Sequence, residues 1–340
     1  MRTLYKMLKG TVLYHLPLED TIVQLKGNLQ LYNPGDEGFL IAPFNKEEEQ
    51  YIILPEEEQI IPLSRLSTEQ ALDLHYNEPF QNHCNSLEEY TDYINKGIDT
   101  IALGRLKKVV LSRCEWIKLP SKFNVLSYFK DLCITYPDAF TYLISVPVFG
   151  TWIGASPEVL LNVQQNIVHT MALAGTRLQN NAEDTSFTEK EFNEQLLVKD
   201  YIKEILEKYC TDVSLVQGIR QAGKLEHIVT YFKALLKEDF SAIKLAFELH
   251  PTPAICGIPT REAMDFILNN EKYDRRLYSG FLGSIKQNNI ALFVNLRCME
   301  LNQSNALLYA GGGIVNGSDP DKEWKETQNK MKTLKNVLPS

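Results

Sequence analysis

Residues 107–119 read KKVVLSRCEWIKL. Polar and apolar side chains alternate here with the two-residue period of a strand. Lys108 then shares a face with Val110, Ser112, Cys114 and Trp116, while Lys107 shares the other with Val109, Leu111 and Arg113. One of these two faces must turn inward. Strand-like runs lie on both sides of this one. Ahead of it come TVLYHL, TIVQLKGNLQLY, GFLIAPF and YIILP, separated by turn signals such as Asn33-Pro34-Gly35. After it, 140–153, 159–173, 278–286, 290–300 and 306–311 also read as strands. Helical patterns intervene irregularly. One opens at the capping box Ser86/Glu89 and runs to about Gly104, and others cover 123–136, 239–249 and 260–270. A second capping box, Ser186/Glu189, opens a helix to about Cys210. A last helix runs from Pro320 to about Leu338, with Ser318 or Asp319 as its cap. Strands in both halves with scattered helices predict α+β architecture, a mainly antiparallel β-structure covered by helices, and not a doubly wound parallel fold. No shift in composition marks a boundary, so 1–340 is read as a single domain.

The balance of charges narrows the function classes. There are 35 Lys and Arg against 43 Asp and Glu, a net charge of −8, and no basic run or tail, which argues against a nucleic-acid partner. No apolar run approaches the ~18 residues of a membrane span, and the basic start MRTLYKMLKG lacks the apolar core of a signal peptide. No membrane partner and a cytoplasmic location are therefore expected. The six cysteines are scattered without a C-x-x-C pair, as expected for buried, reduced thiols rather than disulfides or a zinc site.

Several side chains could carry chemistry. A lysine drawn into a partly desolvated site can serve as a general base, although Lys108 on an exposed edge strand would only guard against aggregation. Glu158, in GASPEVLL, stands at the entrance of an apolar strand, where desolvation would keep a carboxyl protonated as a general acid; the plain alternative is a solvated turn residue. Glu194 is in register with Val198, Tyr201 and Ile205 on the helix predicted from Ser186, and Glu191 adjoins it. On the C-terminal helix Glu323 and Glu326 are followed by Lys330. Two helices that each present a carboxylate pair near an apolar face suit a hard cation such as Mg²⁺ completed by water and a substrate oxyanion. Attraction to the helix N-terminus accounts fully for Glu191 and Glu323, and less well for Glu194 and Glu326. Gly311-Gly312-Gly313 after a strand would let backbone N–H groups approach an anion, and Ala174-Gly175-Thr176-Arg177 is a similar small-residue turn. Arg297 lies among apolar neighbours and needs a partner, a carboxylate ligand being one option. His227 and His250 stand in apolar surroundings, where a satisfied structural role is the commoner one.

Taken in order, KVVLSR, GASPEVLL, LAGTR, EKEFNEQLLV, LHPTPAICGIP, YSGFLG, LRC and GGGIVNGSDPDKEWKET with Lys330 three residues on resemble the chorismate-utilising enzymes. That family comprises isochorismate synthase, salicylate synthase and the first components of anthranilate and aminodeoxychorismate synthase. The resemblance covers about 90–335; residues 1–80 match only loosely, as a variable N-terminal part. It implies one large domain with two stacked, mainly antiparallel sheets flanked by helices and a central cleft. It implies that Lys108 activates water for attack at ring carbon 2 and that Glu158 protonates the departing 4-hydroxyl. Glu194 and Glu326 match ligands of Mg²⁺, with Glu191 and Glu323 as further carboxylates beside it. Gly175 and Gly311 match positions whose N–H groups meet substrate carboxylates, Arg297 and Lys330 match cations that hold the pyruvyl carboxylate, and His227 matches a histidine near the ring. Thr176, Ala254, Ile255 and Tyr278, within the matching motifs, are expected to contact the substrate.

Lysine at 108 points to the water-using members, and Ala174 stands where the aminodeoxychorismate enzymes often carry a lysine. Isochorismate synthase is therefore the first expectation, acting on chorismate as a monomer without a glutaminase subunit. Salicylate synthase, an ammonia-using member and a non-catalytic relative that binds chorismate remain alternatives. The chain departs from the family pattern at Phe192, Asn193 and Gln195, and at the Asn316-Gly317 turn. The lack of further domains leans towards menaquinone rather than siderophore or salicylate formation.

Overall fold

The computed structural model describes residues 8–77, 84–178, 187–222, 225–287 and 289–339. Its first four strands are β1 (Lys9–His15), β2 (Thr21–Leu31), β3 (Gly38–Ala42) and β4 (Tyr51–Pro62). Helix α1 (Leu87–Ala102) leads to β5 (Lys108–Lys118), and α2 (Val125–Thr135) to the hairpin β6 (Phe140–Val146) and β7 (Gly150–Ser156). Then come β8 (Val159–Gln164), β9 (Ile167–Leu178), α3 (Glu189–Tyr209), β10 (Cys210–Ala222) and β11 (Leu225–Leu236). The last part holds α4 (Ala242–Leu249), β12 (Gly257–Ile258), α5 (Thr260–Asn270), β13 (Phe281–Lys286), β14 (Asn289–Val294), β15 (Cys298–Leu301), β16 (Asn305–Ile314) and α6 (Pro320–Lys335).

All the strands join one hydrogen-bonded order, β10-β11-β9-β8-β14-β13-β3-β4-β2-β1-β6-β7-β15-β16-β5-β12. Every described pairing in it is antiparallel. The two sheets expected from the sequence are thus two stretches of one ribbon. The N-terminal strands β1–β4 link them and so form the bridge of the fold. The ribbon folds back on itself. Phe140 of β6 stacks flat on Phe293 of β14, far along the order, with ring centroids 4.1 Å apart, and Tyr14 and Phe39 lie in the same buried cluster. Aromatic side chains suit this seam because each buries a large apolar area and stacks on its neighbour.

Local chemistry sets the helix starts. Ser86 and Glu89 form the expected capping box of α1, and Asp319 caps α6 by accepting from the N–H groups of Asp321 and Lys322, with Pro320 in the first turn. The start of α3 differs from expectation. Ser186 lies outside the described residues, as do residues 1–7 of the N-terminal stretch. The cap is Thr188, whose backbone N–H and hydroxyl both donate to the Glu191 carboxylate.

Two further differences follow from turns and edges. The runs at 140–153 and 159–173 are each broken by a tight hairpin, at 147–149 and at Gln165-Asn166, where both residues take positive φ. Strands β10 and β11 lie in a region to which, beyond about Cys210, the periodicity assigned nothing. β10 is the edge of the ribbon, and its Leu215, Val216 and Ile219 face solvent, so the inside–outside alternation that betrays a strand is lost there. Among the described residues no helix is long and apolar enough to cross a membrane.

Candidate active site

Strand β5 has both faces buried over its first seven residues, so the aggregation-guard reading of Lys108 does not hold. Lys107, just outside the strand, is exposed instead. Lys108 is wholly excluded from solvent, and its Nζ lies 2.8 Å from Glu194 Oε1 of α3. A buried ammonium needs such a partner, because desolvating an unpaired charge costs several kcal/mol, roughly. Burial alone would push the Glu194 carboxyl up, yet Lys108, with Lys330 and Lys190 further off, holds it below the ordinary range. The glycine run of β16 makes room for this meeting. A Cβ on Gly313 would stand 2.2 Å from Glu194 Oε1 and 3.0 Å from Lys108 Cε, and one on Gly312 would stand 2.9 Å from Glu323 Oε2. These glycines admit side chains from two helices to the strand surface.

Glu194 also lines a cleft, which has about 640 Å³ of empty space, part of it open to solvent. The cleft brings together eleven of the expected residues: Glu158, Gly175, Thr176, Glu194, His227, Ala254, Ile255, Tyr278, Arg297, Gly311 and Lys330. Lys108 stands directly behind Glu194. Glu191, Glu323 and Glu326 are not on the cleft wall.

Glu158 follows β7 at the point where the chain crosses to β8. It is 3% exposed, and burial pushes its carboxyl up to about 8 against the opposing pull of Lys108, Lys330 and Arg220. The solvated-turn reading is therefore excluded, and the group is protonated at neutral pH. On the opposite side of the charge balance is Arg297, which burial pushes down to about 10. Its guanidinium donates to Thr333 Oγ1 at 2.9 Å and to the Lys330 carbonyl at 3.5 Å, both neutral acceptors. Among the described residues no carboxylate forms an ion pair with it. Lys330 Nζ donates to the Gly311 carbonyl at 2.8 Å and pairs with Glu326 at 2.7 Å. This corner of the cleft holds more cationic charge than its own acids balance, which suits an anionic ligand.

Gly175 sits at a bulge in β9, with His227 opposite Thr176 and Ile228 opposite Ala174. Its φ is +72°, and a Cβ there would meet the Glu191 carbonyl at 2.8 Å. Thr176 Oγ1 lies 3.0 Å from His227 Nδ1, which fixes the ring and leaves the buried Nε2 without a partner among the described residues. Burial, then Arg297, Lys330 and Arg220, hold His227 well below the usual imidazole range, so it is neutral. His250 is structural, with Nε2 3.1 Å from the Phe44 carbonyl.

The acidic residues of the two helices are placed less evenly than their spacing suggests. On α3 the buried stripe is Gln195, Val198, Ile202 and Leu206, with Glu194 at its margin. Glu191 is engaged by the Thr188 cap. On α6 the buried stripe is Glu323, Thr327, Met331 and Leu334, so Glu323 and not Glu326 points inward. The helix-terminus argument fails for Glu323. It is 1% exposed, its Oε1 takes Lys190 Nζ at 2.6 Å, and its Oε2 is buried with no partner among the described residues. Burial, then the Glu326 charge, pushes its carboxyl up to about 7 although Lys190 opposes them. Among the described residues no three acidic, histidine or cysteine side chains converge closely enough to hold a metal as they stand. Glu194 and Glu326 nonetheless both act on the Glu323 carboxyl, and each of the three is held by its own lysine. An orphaned buried carboxylate oxygen in a set of mutually repelling hard donors fits a divalent ion such as Mg²⁺.

Sequence reasoning passed over Arg220 and Lys190. Arg220 lies on the unassigned strand β10, where it donates to the Asp138 carbonyl at 2.8 Å, and its charge reaches both Glu158 and His227. Lys190 carried a signal, since it stands one helical turn before Glu194. Of the departures from the family pattern, Gln195 is a strut: its Nε2 donates to the Ala172 carbonyl and to Thr230 Oγ1, each at 3.1 Å. Phe192 is half exposed.

A family model described as chorismate binding enzyme matches residues 29–339. The chloroplastic isochorismate synthase of Catharanthus roseus is 31% identical over 69% of this chain, a match that spans only 43% of the plant protein's length. Isochorismate synthase DhbC of Bacillus subtilis is 28% identical over 86% of this chain and 78% of its own. The crystal structure of DhbC from Bacillus anthracis superposes with a TM-score of 0.82 at 27% identity, covering 97% of this chain and 96% of that one. The chain belongs to the chorismate-binding enzyme family.

The unbalanced charge of Arg297 yields a prediction. Arg297→Met removes a buried cation that forms no ion pair among the described residues, so urea denaturation will show stability unchanged or raised. A loss of more than about 3 kcal/mol, the scale expected when one partner of a buried ion pair is deleted, would mean that Arg297 is balanced from within.

Proposed function

We propose that the chain is an isochorismate synthase, which isomerises chorismate by adding water at ring carbon 2 and releasing the 4-hydroxyl as water. The observation that carries this reading is Glu158, a buried carboxyl protonated up to about pH 8 on a cleft that also holds an unbalanced cationic corner and the Lys108–Glu194 pair. The resemblance to the two proteins named isochorismate synthase supports it.

Chorismate carries two carboxylates. Arg297 and Lys330 take the pyruvyl carboxylate, and the bulged backbone at Gly175 and the strand at Gly311 frame the rest of the ligand. Thr176, Ala254, Ile255 and Tyr278 shape the walls, and neutral His227 offers Nε2 as one more hydrogen-bonding atom beside the ring. Holding both ends of a rigid ring fixes its orientation before any bond changes. Lys108 Nζ takes a proton from water as the oxygen adds at carbon 2. For that, Lys108 has first to pass its own proton to the solvent of the cleft, since an ammonium has no free electron pair. Glu158 gives its proton to the 4-hydroxyl as the ring double bond shifts. One water enters and one leaves, so the sum is an isomerisation, and neither side chain forms a covalent bond to the ring.

Glu194 and Glu326, with Glu323 and Glu191 close by, would hold Mg²⁺. When bound, the ion supplies neutralisation of the ring carboxylate and withdraws electron density from the diene, which eases addition at carbon 2. We take 1–340 as one chorismate-binding domain that acts in the cytoplasm as a monomer. Water is the nucleophile, so no glutaminase subunit is needed.

The test is to mix the protein with chorismate and Mg²⁺ and to identify the product by NMR. Isochorismate supports the proposal. Salicylate, anthranilate formed only with added ammonium, or unchanged chorismate each refute it. Activity should fall as pH rises through about 8, because the acid must carry its proton. The kcat/KM profile of the wild type will show that limb, and Lys108→Ala will lose at least about 10²-fold in rate while remaining folded. Glu326→Gln will weaken the apparent Mg²⁺ affinity by about 10-fold or more; an unchanged metal titration removes Glu326 from the metal site.

A further inference from the structure

Cys84 and Cys114 lie side by side, their Sγ atoms 3.2 Å apart, although thirty residues separate them in the chain. That is inside the ordinary contact distance of two sulfurs and little more than an ångström beyond the ~2.05 Å of a disulfide bond. The two positions differ in access. Cys114 is 1% exposed, on the same face of β5 as Lys108. Cys84, two residues before the cap of α1, is only partly buried, so a small oxidant can reach it. The other four cysteines are buried, and none of them is paired with a second thiol in this way among the described residues.

The local field favours Cys84 as the reactive member. The contact with Cys114, the Trp116 backbone N–H and the Arg113 charge hold the Cys84 thiol below its ordinary value although burial opposes them. Cys114 is pushed far up by the same contact and by burial, so it keeps its proton while Cys84 gives up its own more readily. Thiolate character and access decide which cysteine is oxidised first, and a second thiol within reach decides how the oxidised form is resolved.

We propose that Cys84 and Cys114 form a reversible redox couple, in which a peroxide oxidises Cys84 and Cys114 closes the disulfide. The Cys84 thiolate attacks the O–O bond, yielding a sulfenic acid and water. The Cys114 sulfur then displaces the sulfenic hydroxyl, giving the S–S bond and a second water. Two thiols lose two electrons in all and one peroxide gains them. A dithiol reductant reverses the step. The bond would tie the start of α1 to β5 at the residue that pairs with Tyr309, a residue of the cleft wall, so oxidation would brace the lysine-bearing strand from behind. This inference does not depend on the reaction proposed above.

The experiment treats the full chain with hydrogen peroxide, blocks free thiols, and maps peptides without reduction. The couple predicts a peptide joined through Cys84 and Cys114, the loss of two of the six titratable thiols, and their full return on reduction with dithiothreitol. Cys84→Ser will show neither the link nor the loss. Cys114→Ser will stop at the sulfenic acid, trapped on Cys84 by a cyclic diketone probe. If all six thiols of the folded wild type survive the treatment, or if the link joins other cysteines, the couple does not exist. The wild-type map alone decides this even if a variant folds poorly.

Discussion

Nothing in this protein is more constrained than a lysine ammonium that has no contact with water. Lys108 lies on β5 near one end of the ribbon, and the carboxylate that balances it comes from α3, which packs against strands at the other end. The pair can form only because the ribbon folds back on itself and because the β16 glycines leave the strand surface bare where the two side chains meet. A methyl group at Gly313 would occupy the place of the Glu194 oxygen. Sheet curvature, glycine placement and the charge pair are thus parts of one condition, and the cleft is the space that this condition leaves open.

Within the cleft, charges are sorted rather than cancelled. Arg297 is buried with neutral hydrogen-bond acceptors only, Lys330 is shared between a carbonyl and Glu326, and Arg220 adds its field from β10. A free protein keeps such a surplus at a cost in desolvation, and an anionic ligand repays it. The acid at Glu158 survives beside these cations because its burial outweighs their pull, so it keeps the proton that the chemistry requires. His227 shows the opposite outcome of the same field: burial and the cations together leave it neutral. Lys108, behind the cleft wall and paired with Glu194, and Glu158, on the wall and paired with no acid or base among the described residues, therefore sit in different electrostatic surroundings.

Much of this was legible in the sequence, for identifiable reasons. Strands such as 107–119 alternate because one side of the strand packs differently from the other, and the caps at Ser86 and Asp319 announce their helices by side-chain chemistry alone. The eight motifs placed ten of the eleven expected residues that the fold does gather on one cleft, from elements as distant as β9, α3 and α6. What sequence could not show is long-range arrangement. Spacing put Glu323 and Glu326 together near an apolar face of α6, whereas packing against β16 turns only Glu323 inward and leaves its Oε2 without a partner among the described residues. Periodicity was blind to β10, where an edge strand exposes Leu215, Val216 and Ile219, and with it went Arg220. The continuity of the ribbon depends on which strand edges meet, and no local pattern encodes that.

The most direct test of the account follows the oxygen atom. Chorismate is converted in water enriched in ¹⁸O, and the product is examined by mass spectrometry and NMR. Attack by water on carbon 2 with separate release of the 4-hydroxyl predicts isochorismate whose carbon-2 hydroxyl carries the solvent label. An unlabelled hydroxyl, moved from carbon 4 to carbon 2 within the molecule, would contradict the division of labour between Lys108 and Glu158 on which the reading of the cleft rests.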